Sequence, residues 1–139
     1  MKSSAGKRAN QEPPQHPAAK LRDYVSADFD ALYNLDRICY PRGIAYSRPE
    51  LRWFLAQADA LCVAAEIDAK IVGFLIADRD GPLAHIITID VAPEQRRRGV
   101  GTLMIEEIER RLLALGVTEI NLETATDNEA GTAFWRRHG

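Results

Sequence analysis

Long hydrophobic runs are missing from this chain: no apolar stretch approaches the roughly 20 residues that cross a bilayer, so no membrane partner is expected. An excess of one charge is missing too. Lys and Arg number 18 against 20 Asp and Glu, a net charge of −2, which leaves no global basic field to gather nucleic acid or anionic lipid. Cysteine is scarce. Cys39 and Cys62 show no metal or redox spacing and lie in apolar patterns, so reduced core thiols in a cytoplasmic protein are expected, and no metal. Residues Met1 to Lys20 lack the apolar centre of a secretory signal. Their Ser, Pro, Gln, Lys and Ala predict a disordered leader over 1–20. Pro13, Pro14 and Pro17 argue against the amphipathic helix of a mitochondrial presequence.

What is present suits one domain over 21–139. The whole chain has 139 residues, 46% hydrophobic and 27% charged, enough for a single core and too few for two. Leu21–Val25 reads as a short strand, after which Ser26 caps a helix carrying Phe29, Leu32, Leu35 and Cys39. Ser47 with Glu50 forms a capping box ahead of the stripe Leu51, Phe54, Leu55 and Ala58. The period then changes. Leu61, Val63, Ala65 and Ile67 alternate as in a strand; Ile71–Ala77 and His85–Val91 are two more, and the three predict an antiparallel meander. A helix starting near Gly99–Thr102 presents Val100, Leu103, Met104, Ile108, Leu112 and Leu115 on one face. Glu106 with Arg110 and Glu107 with Arg111 are i, i+4 pairs on its other side. Gly116 ends it, Ile120–Thr124 is a strand parallel to Ile86–Val91, and a last helix starts near Asn128.

The turn before the long helix carries the chemistry. Arg96-Arg97-Arg98-Gly99-Val100-Gly101 fits R-x-x-G-x-G between a strand and a helix. The first amides of a helix lack intrahelical acceptors, and the macrodipole adds positive potential there. Glycines at 99 and 101 leave room for a bulky phosphate, and the arginines add charged donors. Rival readings are weaker. Three arginines alone are most often a solvated turn; a nucleic-acid patch needs more basic residues and interleaved aromatics. A phosphate-binding P-loop needs G-x-x-x-x-G-K-[ST], and a Rossmann fingerprint needs glycine where Met104 stands.

The run His85 to Gly101 resembles motif A of the GNAT superfamily of N-acetyltransferases. Leu122-Glu123 through Asn128 to Phe134-Trp135-Arg136-Arg137-His138-Gly139 is similar to that family's motif B. Among subgroups the chain looks most like the RimI-type ribosomal-protein alanine acetyltransferases, through Ile38-Cys39-Tyr40-Pro41, Tyr46-Ser47 and His85-Ile86. The resemblance implies a mixed α/β fold, antiparallel strands leading into one parallel pair, and acetyl-CoA as co-substrate. It implies that main-chain groups of Ile89, Asp90 and Val91 pair with the pantetheine arm. The Val91 amide would polarise the thioester carbonyl. The amides of Arg97, Arg98, Gly99, Val100, Gly101 and Thr102, with Arg96 beside them, would hold the pyrophosphate, and Asn128 would lie near the reactive end. The acceptor it implies is a primary amine, either a protein N-terminus or a small molecule.

Glu123 is the candidate base, on the strand beside the co-substrate and sharing a face with Asn121; a solvated or ion-paired glutamate is the alternative. Two departures from the family pattern stand out. Where relatives carry a tyrosine that protonates the leaving thiolate, Trp135 stands. Either the thiolate leaves unaided, or another group such as Tyr40, Tyr46, His85 or His138 substitutes. The sequence also stops at Gly139, before two strands that relatives add, so truncation or completion by a partner chain, as in a homodimer, is expected. Both departures also fit a non-catalytic acyl-CoA-binding module.

Overall fold

The computed structural model describes residues 19–122, with the side chain of Leu122 excepted. Its elements are β1 (Lys20–Asp23), α1 (Phe29–Cys39), α2 (Arg48–Ala56), β2 (Leu61–Ile67), β3 (Lys70–Asp80), β4 (Leu83–Val91), α3 (Val100–Ala114) and β5 (Glu119–Leu122). Among these residues no helix is long and apolar enough to cross a membrane.

The five strands form one sheet in sequence order, antiparallel from β1 to β4 and parallel between β4 and β5. β4 and β5 pair only over Leu83–Ile86 and Glu119–Leu122. The register of β3 against β4 slips between Ile76 and Ala77, which leaves Ile87 as an extra residue, a bulge in β4. Helices cover opposite faces. Phe74 and Asp90 are partners across the β3–β4 ladder and face α1, whereas Gly73 and Val91, one residue on, face α3. At Gly73 a Cβ would stand 3.0 Å from the Asp90 carbonyl oxygen and 3.1 Å from Met104 Cε. The glycine therefore lets the first turn of α3 lie directly on the sheet, and that contact places the helix N-terminus at the end of β4. The core is built from Phe29, Leu32, Leu35 and Leu51 on one side and Val100, Met104, Ile105, Ile108 and Leu112 on the other, with β2–β4 between.

Local signals explain several boundaries. The Ser47–Glu50 box closes both ways, the Glu50 carboxylate accepting from the Ser47 amide at 2.8 Å and the Ser47 hydroxyl from the Glu50 amide at 3.3 Å. β2 and β3 meet in a two-residue turn, Asp68–Ala69, with φ of 52° and 63°. Other expectations need correction. Ser26 does not cap α1: it opens a 3-10 turn, and Asp28 instead accepts from the Val25 amide at 2.9 Å. Arg22 recruits Asp28 with two bonds of 2.8 and 2.9 Å, which explains why the acid sits buried there. On α3 Val100, Met104, Ile108 and Leu112 are buried as inferred, but Ile105 joins them while Leu103 and Leu115 are exposed, because the face that meets the sheet is rotated from the stripe inferred. Arg110 pairs with Glu107, not Glu106, joining Arg111 on the same carboxylate.

Candidate active site

α3 begins at the motif turn without a side-chain cap. Gly99 is the N-cap residue at φ 87°, its side of the helix carries no acidic residue in the first turn, and the first helical bond runs from the Leu103 amide to the Gly99 carbonyl at 3.0 Å. The amides of Val100, Gly101 and Thr102 therefore have no intrahelical acceptor. Arg97 also has a left-handed backbone, φ 65°, a conformation that costs an L-residue roughly 1–2 kcal/mol. Arg96 to Gly99 are exposed and Val100 is buried. An uncapped, positively polarised helix end flanked by exposed guanidinium groups fits a diphosphate.

The edge of β4 points at the same end. The Ala92 amide bonds the Val72 carbonyl at 2.8 Å, so even-numbered residues near it turn their main-chain groups toward β3. Ile89 and Val91 turn theirs the other way. Among the described residues no strand pairs with that side of β4 beyond Ile86. Its carbonyls receive side-chain donors instead. Tyr40 Oη donates to the Ile89 carbonyl at 3.1 Å, Arg96 Nε to the Val91 carbonyl at 3.0 Å, and the Cys39 thiol to the same oxygen at 3.4 Å. Tyr46 Oη reaches the Ile87 carbonyl at 3.5 Å. The open edge thus offers chiefly N–H donors, suited to carbonyl oxygens of an extended ligand.

Behind that edge lies a buried acid pair. Asp90 on β4 and Asp36 on α1 are within hydrogen-bonding reach, and burial followed by the Asp36 carboxyl pushes the Asp90 pKa well above the ordinary carboxylate range. Burial likewise raises the Cys39 thiol to about 11, with the charge of Asp90 adding to it. The Tyr40 hydroxyl is raised for the same two reasons, burial first.

The structure brings Ile89, Val91 and Arg96–Thr102 together at one end of β4. Asp90 does not belong with them as a main-chain partner of a ligand: its amide and carbonyl face β3, and its side chain faces α1. Arg96 folds back onto the Val91 carbonyl instead of extending over the helix end. Glu123, Asn128, Trp135 and His138 lie outside the described residues. Sequence reasoning missed Asp36 and Thr88. An aspartate inside the apolar stripe of a helix, between Leu35 and Cys39, was the available signal.

The sequence model of the Acetyltransferase (GNAT) family matches residues 29–139. An acetyltransferase of Pectobacterium atrosepticum is 33% identical over 119 residues, covering 85% of this chain and 84% of that protein. Among solved structures, the ribosomal-protein-S18-alanine N-acetyltransferase of Escherichia coli superposes with TM-score 0.78 at 20% identity, over 88% of this chain and 77% of that one. The PaiA N-acetyltransferase of Thermoplasma acidophilum, solved in complex with coenzyme A, also gives 0.78, at 19% identity over 88% and 89% of the two chains.

Proposed function

The chain belongs to the acetyltransferase (GNAT) family and is an acetyl-CoA-dependent N-acetyltransferase, and from that premise we propose how it holds its co-substrate and which amine it takes. The pyrophosphate lies on the amides between Arg97 and Thr102, with Arg97 and Arg98 adding charge. The Ile89 and Val91 amides, turned to the open edge, donate to carbonyl oxygens of the pantetheine arm and thioester. There the Val91 amide withdraws charge from the reacting carbonyl. Acetyl-CoA supplies an activated thioester; the protein aligns it and holds the amine. The observation that carries this reading is the convergence, at one end of β4, of an uncapped helix start and strand amides that no described strand pairs.

The acceptor is a protein N-terminal α-amine, as in RimI-type enzymes. The Ile38–Pro41 and Tyr46–Ser47 resemblance favours it, and Tyr40 and Tyr46 border the open edge. An α-amine, with a pKa about 7.7–8.0, is roughly 10–20% neutral at pH 7, whereas a lysine near 10.4 is neutral to less than about 0.1% and depends far more on a base. Following the family resemblance, we assign Glu123 as the base that takes the proton of the amine, directly or through water, and Asn128 to the co-substrate's reactive end. Release of free CoA thiol, followed over N-terminal peptides and small amines, tests the reading. Turnover confined to small amines would refute the N-terminal acceptor. Glu123→Gln should slow turnover with acetyl-CoA affinity little changed; an unaltered rate would remove the base.

A further inference from the structure

The connection between α1 and α2 borders the open edge of β4, and two acids tie it to the sheet. Asp36 and Asp90 are each 1% exposed. Asp36 Oδ2 accepts the Tyr46 amide at 2.7 Å, and Asp90 Oδ1 accepts the Thr88 hydroxyl at 2.7 Å. The second oxygen of each, Asp36 Oδ1 and Asp90 Oδ2, has no hydrogen-bond partner. Two facing carboxylates in a dry site cannot both carry charge without large cost, and orphaned buried oxygens are themselves unfavourable. One proton between the two oxygens resolves both problems at once.

We propose that Asp36 and Asp90 act as one proton-sharing pair that positions the α1–α2 connection, and with it Tyr40 and Tyr46, along the open edge of β4. Its bearing on catalysis rests on the assignment of that edge to the thioester. Neither acid touches the edge itself, so both are positioning residues. The chain of contacts is short. The pair fixes the Tyr46 amide through Asp36, while Tyr46 and Tyr40 donate to the Ile87 and Ile89 carbonyls. Among the described residues, the titratable and charged groups around the pair are Cys39 and Tyr40 at the end of α1, Cys62 on β2 and Arg96 beyond β4; Thr88 is the polar neighbour on β4 itself. The β3 partners on this face, Phe74 and Ile76, are apolar.

Asparagine separates this pair from a merely buried acid. In Asp90→Asn the position stays neutral at every pH, and its amide donates to Asp36. In wild type, burial and the neighbouring Asp36 carboxyl keep Asp90 protonated above the ordinary carboxyl range. Its stability contribution is therefore complete below about pH 3.9 and is lost as pH rises through the titration of the pair. Thermal denaturation of the full chain between pH 4 and 9 should show Asp90→Asn gaining on wild type with rising pH, by at most about 4 °C per pH unit. Parallel curves would overturn the proposal. Amide hydrogen exchange supplies a second reading: Asp36→Ala should speed exchange at Tyr46 by tenfold or more, on the order of a lost buried hydrogen bond. Asp36→Asn, which keeps an acceptor for that amide and a donor for Asp90, should restore protection. Exchange at Tyr46 unchanged in the alanine variant, or not rescued by asparagine, would also overturn it. If the alanine variant does not fold, the asparagine pH series decides alone. Calorimetric titration of wild type with acetyl-CoA completes the set; failure to bind there would defeat the proposed function and leave the pair standing.

Discussion

Replacing Gly99 by alanine perturbs the proposed diphosphate site through the backbone alone. Gly99 sits at φ 87° as the N-cap of α3, and nothing lies within 4 Å of a Cβ built there. A clash is therefore absent, and the cost is conformational, about 1–2 kcal/mol for an L-residue held in the left-handed region. At about 3–4 °C per kcal/mol for a chain of this size, the melting temperature should fall by roughly 3–8 °C if the turn keeps its shape. If the turn instead relaxes toward negative φ, the Val100, Gly101 and Thr102 amides rotate out of convergence. Hydrogen bonds to a charged group contribute about 1.5–3 kcal/mol each, so misaligning one weakens CoA binding by about 10- to 100-fold. Calorimetric titration with CoA, alongside thermal denaturation, reads both quantities. Arg97→Gly is the converse: it relieves the strain at φ 65° and removes a guanidinium. Stability should hold or rise while CoA affinity falls. A Gly99→Ala protein that melts like wild type and binds CoA within about twofold would refute the reasoning, since an uncapped helix start organised by a left-handed residue could not tolerate the change so cheaply.

Gly73→Ala should destabilise by about 1–3 kcal/mol, because the new methyl meets the Asp90 carbonyl at 3.0 Å and Met104 Cε at 3.1 Å; chemical denaturation checks this, and an unchanged midpoint would mean α3 is not seated as described. Ala69→Gly should stabilise by roughly 0.5–1 kcal/mol, since both residues of the Asp68–Ala69 turn have left-handed φ and the Asp-Gly pair suits such a turn; thermal denaturation decides. The Arg22 hydrogen bonds hold the Asp28 carboxyl below its usual range. Its stabilising effect is thus present above about pH 3.9 and lost as pH falls through its folded pKa. Asp28→Asn should remove part of the acid-induced loss of stability below pH 4, and identical acid transitions would contradict the linkage.

Short-range signals carried most of the architecture. Ser47 and Glu50 stand three residues apart and close a box that geometry alone dictates. The alternation from Leu61 to Ile67 marks a strand whose neighbours in sequence become its neighbours in the sheet. The glycine-bearing turn was legible for the same reason: orphan amides and a left-handed cap are properties of one contiguous segment. Where the sequence misled, tertiary context had intervened. The stripe inferred for α3 places Leu103 in the core, whereas the helix, seated on Gly73 through Val100 and Met104, buries Ile105 and leaves Leu103 exposed. Ser26 is a good cap in isolation, yet the Arg22 side chain reaching from β1 holds Asp28 in the turn, where its carboxylate accepts the Val25 amide instead.

Sequence by itself determined the order of elements, the meander with its parallel closing strand, and the glycine-bearing turn ahead of α3, because each depends on residues a few positions apart. Tertiary structure alone decided which main-chain groups of β4 stay open, how Arg96 and Tyr40 reach them, and that Asp36 meets Asp90 in a dry interior. Those outcomes depend on strand register and on helix seating across the sheet. A single bulged residue or one missing Cβ sets both, and neither follows from periodicity.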